Sequence, residues 1–116
     1  MESVYFKDDF LLYTHKGNIE KITYGDIVSI ECDKPYVKFC LANAKSFSIQ
    51  QSLFVVGNYL KQEFVKVNRQ VIVNMRYAQK IVFEGKQCYV YLKGFKYKIS
   101  VRLEKAVRVA FFRFVG

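Results

Sequence analysis

Proline occurs once, histidine once and cysteine three times in the 116 residues of the chain. Each scarcity closes off a class. One proline beside 11 Phe and 9 Tyr is incompatible with a collagen-like chain or a disordered, low-complexity linker. With His15 as the single imidazole, no His/Asp/Ser or Cys/His arrangement for nucleophilic catalysis has an obvious context. His15 itself, beside Lys16-Gly17, reads as an exposed turn residue. Cys32, Cys40 and Cys88 contain no Cys-x-x-Cys pair and match no zinc spacing. Each lies in an apolar alternating stretch, where a buried free thiol is the expected state. Glycine-rich phosphate loops are missing, and the adjacent acids Asp8 and Asp9 read as solvated. No apolar run approaches the length of a membrane span, and no charged-then-apolar leader opens the chain. The expectation is a non-enzymatic domain of the cytoplasm, without metal or cofactor.

What is abundant is positive charge, unevenly placed. The formal net charge is +9, and hydrophobic residues make up 52% of the chain. Residues 1–33 carry seven acids against Lys7, Lys16 and Lys21, a net −4. Residues 34–116 carry 16 Lys or Arg against Glu63, Glu84 and Glu104, a net +13. Such an excess suits a polyanion, either nucleic acid or an anionic membrane surface. Basic residues that merely keep an aromatic-rich β protein soluble would give the same balance.

Along the chain, short alternating runs separated by turn residues predict a mainly β domain. Strands are read at 10–15, 19–23, 26–32, 36–41, 46–49, 65–67, 71–74, 79–83, 88–92 and 97–101. Lys16-Gly17-Asn18, Asp33-Lys34-Pro35 and Asn43-Ala44-Lys45 supply turns, because Gly and Asn tolerate positive φ and Pro fixes its own. Leu53, Val56, Leu60 and Phe64 fall on one helical face, with Ser52 or Ser48 as N-cap. A second helical stripe, Leu103, Ala106, Val107, Ala110 and Phe111, closes the chain, with Ser100 as its cap and Arg102, Lys105 and Arg108 on its polar side. No linker or repeat divides the sequence, so a single domain, 1–116 with a core at about 10–112, is expected.

The stretch from Phe64 to Ile81, FVKVNRQVIVNMRYAQKI, carries the most chemistry. Asn68-Arg69-Gln70 interrupts an apolar pattern with three side chains able to hydrogen-bond. Such a strand-to-strand loop suits the edges of bases. Arg bridges guanine O6 and N7, and Asn or Gln pairs with adenine N6 and N7. A solvated loop that merely ends a strand has the same composition, and both readings stand at this point.

The order of features resembles the LytTR DNA-binding domain, the output module of many bacterial response regulators. The resemblance covers about Phe10 to Arg108. Its parts are the hairpin and Asp-Ile pair in YTHKGNIEKITYGDIVSIECDKPYVKF (Tyr13 to Phe39), the helix start at Ser52-Leu53 with Leu60, and Ile99-Ser100-Val101-Arg102 before the last helix. Phe64 to Asn74 is similar to the family's most specific motif: Phe, basic, apolar, His-Arg-Ser, two apolar residues, Val-Asn. Here Asn68-Arg69-Gln70 stands for His-Arg-Ser, with the central Arg kept.

The resemblance implies an elongated, mainly β domain of about ten short strands in small antiparallel sheets, with one short internal helix and a C-terminal helix. It implies sequence-specific binding of duplex DNA for transcriptional regulation, by loops that enter successive major grooves. Carried over residue by residue, the base-contacting positions are Tyr36, Asn68, Arg69, Gln70 and Arg102. Lys34, Lys38, Lys66, Arg76, Lys105 and Arg108 would hold phosphates. The implied partner is promoter DNA at tandem sites, with pairing of two copies on DNA left open. No receiver domain, and hence no phosphoacceptor Asp, is placed on this chain. Two other readings remain: a single-stranded nucleic-acid module using Tyr and Phe platforms, and a basic protein or membrane interaction domain using the tail Phe111-Phe112-Arg113-Phe114.

Overall fold

Alternation becomes strands, and the turn residues become their connections. The computed structural model describes residues 2–115. The chain packs as two compact units, Met1–Tyr59 and Leu60–Gly116.

In the first unit, β1 (Ser3–Phe6), β2 (Phe10–His15) and β3 (Asn18–Thr23) form an antiparallel meander. β1 adds a strand to the sequence reading. The β2–β3 connection is the two-residue turn Lys16-Gly17, with φ of 46° and 78°, closed by the pair His15–Asn18. Two positive φ values in a two-residue hairpin make a type I′ turn, whose twist matches that of the strands. The left-handed positions therefore fall on Lys16 and Gly17 rather than Gly17 and Asn18. His15 is not a free turn residue: it is half-buried at the end of β2, its ring stacked 4.3 Å from that of Tyr13.

A 3-10 turn at Tyr24–Asp26 leads into β4 (Ile27–Asp33), which pairs antiparallel with β5 (Tyr36–Leu41), itself paired with β6 (Ser46–Gln50). Much of the aromatic content is spent here. Tyr13 stacks on Phe47 at 4.2 Å and Phe47 on Phe39 at 4.8 Å, so His15, Tyr13, Phe47 and Phe39 form one continuous pile of rings. Offset stacking of this kind adds to burial of the ring area itself. Leu11, Ile27, Ile30, Val37 and Val56 are fully buried in the same unit. Tyr24 is buried with its hydroxyl donating to the Lys7 carbonyl at 2.5 Å.

The unit ends with α1 (Leu53–Gly57), capped by the Ser52 hydroxyl, which accepts from the Val55 N–H at 3.2 Å. The predicted stripe runs further than the helix. Gly57 costs helix stability, and the chain leaves the helix after it, so Leu60 lies beyond the helix and Phe64 opens a strand.

In the second unit, β7 (Phe64–Asn68) and β8 (Val71–Asn74) make a hairpin, and a 3-10 turn, Met75–Tyr77, follows. Buried Asn74 caps that turn, its side-chain oxygen accepting from the Arg76 N–H at 3.1 Å. β9 (Ala78–Glu84), β10 (Gln87–Leu92) and β11 (Phe95–Ile99) form a second antiparallel meander. After a 3-10 turn at Val101–Leu103, α2 (Glu104–Phe114) packs on β7 and on the Met75–Tyr77 turn. It buries Val107 and Ala110, with Leu103, Phe111 and Phe114 half-buried; Ala106, a member of the predicted stripe, is exposed instead. Ser100 precedes the turn without a side-chain capping bond. Burial raises the thiols of Cys40 and Cys88 above their ordinary pKa. The described Cys, His, Asp and Glu residues form no cluster that could hold a metal ion. No described helix is long and apolar enough to cross a membrane.

Candidate nucleic-acid interface

Eight of the eleven basic or polar residues singled out in the sequence lie in the second unit, and three in the first. Tyr36 opens β5 opposite Asp33 and Gln50, with 45% of its surface exposed. Lys34 is exposed in the Lys34-Pro35 turn just before it, whose peptide bond is cis. Lys38 lies two residues further along β5, half-buried and directly opposite Glu31. Its charge is thus set against a carboxylate in the sheet, not carried on a loop.

The second unit holds the denser group. Asn68 and Val71 are the last pair of the β7–β8 hairpin, so Arg69 and Gln70 form its two-residue tip, and both are exposed. Asn68 spends its amide inside the protein. Its Oδ1 accepts from the Gln70 N–H at 2.8 Å, and its Nδ2 donates to the Lys98 carbonyl at 2.7 Å. One residue earlier, Val67 is an extra residue in β7, a bulge between the pairs Lys66–Ile72 and Asn68–Val71. Its carbonyl accepts instead from the Ser100 N–H at 2.9 Å.

Two bonds therefore stitch the end of β7 to the β11 segment, Asn68 to Lys98 and Val67 to Ser100. Arg69 lies two residues beyond Val67 and Arg102 two residues beyond Ser100, so the stitch joins the backbone segments that carry these two exposed arginines. Arg102 is carried on the Val101–Leu103 turn, ahead of α2. Lys105 and Arg108, three residues apart on α2, continue on its exposed side, and Lys66 is exposed on β7. Arg76 is exposed on its 3-10 turn and lies over the Phe114 ring, 5.5 Å from the centroid.

Two features bear on the rival readings. On one face of the β9–β10–β11 meander, half-buried Tyr89 and Tyr91 lie beneath lysines: Lys96 is 4.3 Å from the Tyr89 centroid and Lys80 4.9 Å from that of Tyr91. A hydrogen bond with Tyr91, and more weakly the charge of Glu84 with its oxygen at 3.7 Å, hold the Lys96 ammonium above its ordinary pKa. These rings are already covered by cations and do not form open stacking platforms. The apolar tail belongs to α2, where Phe111 and Phe114 are half-buried and Phe112 is 82% exposed.

The bond from Asn68 to the Lys98 carbonyl has no signal in the sequence, since the partner is a backbone group thirty residues away. A model of the LytTR DNA-binding domain family matches residues 17–111. Among solved structures, the chain is similar to the LytTR DNA-binding domain of a methyl-accepting/DNA response regulator from Bacillus cereus. The identity is 11% and the TM-score 0.76, over 90% of this chain and 97% of that one. No curated protein matches the chain.

Proposed function

The chain belongs to the LytTR DNA-binding domain family, whose members serve as DNA-binding domains of response regulators, and we propose that it reads duplex DNA through Arg69, Gln70 and Arg102. Support comes above all from the stitch between β7 and β11, which joins the segments that carry two exposed arginines on short, backbone-anchored turns. Two guanidinium groups held this way have the planar donor fork that bridges guanine O6 and N7 in a major groove. Tyr36, exposed at the start of β5, is a third base contact in this reading. Lys34, Lys66, Arg76, Lys105 and Arg108 neutralise phosphates, with Lys38 as a weaker contributor because Glu31 lies opposite it. Promoter duplexes with tandem sites are the partner, reached in the cytoplasm. Regulation then follows from binding rather than catalysis.

A selection from random duplex DNA, read at two salt concentrations, tests the proposal. A defined sequence preference is expected in the unaltered chain. Arg69→Ala should cost about 1–3 kcal/mol and relax the preference at one position. Unchanged affinity and preference in Arg69→Ala would remove the base-reading role.

A further inference from the structure

The tip of the β7–β8 hairpin has a geometry that its own two residues do not explain. Two-residue hairpins favour type I′ or II′ turns, which need a positive φ at the first tip residue. The chain builds such a turn at Lys16-Gly17. Arg69 and Gln70 both keep negative φ, because the described non-glycine residues with positive φ are Lys16 and Ala44. A turn of the opposite hand splays the strands it joins, so something outside the ladder must hold it.

Asn68 has the chemistry for that task. A carboxamide carries an acceptor and a donor on one short stem. Here the acceptor closes an Asx turn onto the Gln70 N–H, fixing the tip, and the donor ties the tip to the Lys98 carbonyl. The bulge at Val67 frees a carbonyl for Ser100, which doubles the tie. A bidentate contact with adenine would need the same oxygen and the same amino group. One lone pair and one N–H are left over, but the two internal bonds fix the plane of the amide, so its orientation is set by the tip and not by a base.

Resting on the DNA-reading function above, we infer that Asn68 is a positioning residue: it aims Arg69 and Gln70 at the duplex and does not itself read a base. Aspartate would keep the bond to Gln70 but set a second oxygen against the Lys98 carbonyl. Alanine would lose both bonds.

The test uses the full chain with Asn68→Ala, Asn68→Asp, Arg69→Ala and the double alanine variant. Amide hydrogen exchange at Gln70, followed by NMR without DNA, is expected to accelerate in Asn68→Ala and to stay slow in Asn68→Asp. On the selected duplex, Asn68→Ala should weaken binding by about tenfold when Arg69 is present, the scale on which one or two such bonds count. In the Arg69→Ala background the loss should shrink to the part carried by Gln70, since a brace acts only through what it braces. An equal loss in both backgrounds, together with relaxed preference at a base pair that Arg69→Ala leaves intact, would overturn the proposal in favour of direct reading. Unchanged Gln70 exchange in Asn68→Ala would overturn it as well. Should Asn68→Ala fail to fold, the cycle is run with Asn68→Asp, whose loss must likewise shrink without Arg69. If the unaltered chain shows no duplex preference, the functional reading fails, and the Gln70 exchange alone decides whether Asn68 braces the tip.

Discussion

Ala44 occupies a backbone position that its side chain disfavours, and the consequence can be worked out. The β5–β6 connection holds a turn in which the Ala44 N–H donates to the Leu41 carbonyl at 3.1 Å. The Leu41 N–H in turn donates to the Lys45 carbonyl at 2.9 Å. Asn43 steadies it, its side-chain oxygen accepting from the Lys45 N–H at 2.9 Å. This is a three-residue hairpin loop, a turn followed by one left-handed residue, and Ala44 is that residue with φ of 69°. Left-handed backbone costs a non-glycine residue about 1–2 kcal/mol. Glycine removes that cost but adds roughly 0.4–1 kcal/mol of freedom to the unfolded chain. Ala44 is exposed, so no packing is lost on substitution. Ala44→Gly should therefore stabilise by about 0.5–1 kcal/mol, a rise of about 2–4 °C in Tm for a domain of this size. Ala44→Val should destabilise, because a β-branched residue fits the left-handed region worse still. Thermal and urea unfolding of the three proteins checks both signs. A Tm for Ala44→Gly at or below that of the unaltered chain would refute the reasoning.

Other consequences can be measured in the same way. Ser52→Ala removes the cap of α1 and should cost about 0.5–2 kcal/mol in urea unfolding, with the slope unchanged. Replacing Lys105 by Gln should weaken binding to every duplex alike and flatten the salt dependence by about one unit, a signature that Arg69→Ala lacks. In thiol titration with an aromatic disulfide, half-exposed Cys32 should react first, while Cys40 and Cys88, buried and held protonated, wait for unfolding. Burial, and then the charge of Asp8, raise the Tyr24 phenol above its ordinary pKa. The unfolded chain thus loses this proton first as pH rises, so the stability is fully present below about pH 10 and declines above it. That alkaline decline should be shallower in Tyr24→Phe.

Some of this architecture is legible in the residues, and the gaps have physical causes. Ten strands announce themselves as short alternating or β-branched apolar runs, and several of the turns between them carry Gly, Asn or Pro. β1 does not: Ser3–Phe6 alternates only between exposed and half-buried positions, too weak a contrast to stand out. The α1 stripe misleads because Leu53 and Val56 share helical spacing with Leu60 and Phe64, whose apolar character serves the chain beyond the helix. Spacing alone cannot tell the two apart where a glycine ends the helix between them. Arg69 could be placed at a hairpin tip from sequence, since polar residues there interrupt two apolar runs. The bond from Asn68 could not, because the Lys98 carbonyl it meets is a backbone group common to every residue type and leaves no mark in the sequence.

The way the tip is anchored has a consequence for how such a domain changes its target. Its ties engage Asn68, the backbone of Val67 and Gln70, and backbone groups of Lys98 and Ser100, while the side chains of Arg69 and Gln70 take no part in them. Those two positions are therefore an interchangeable part mounted on a fixed socket. Under the DNA-reading role proposed above, drift at these two codons would re-address the domain without first passing through an unstable intermediate, so scaffold and address would evolve on separate clocks.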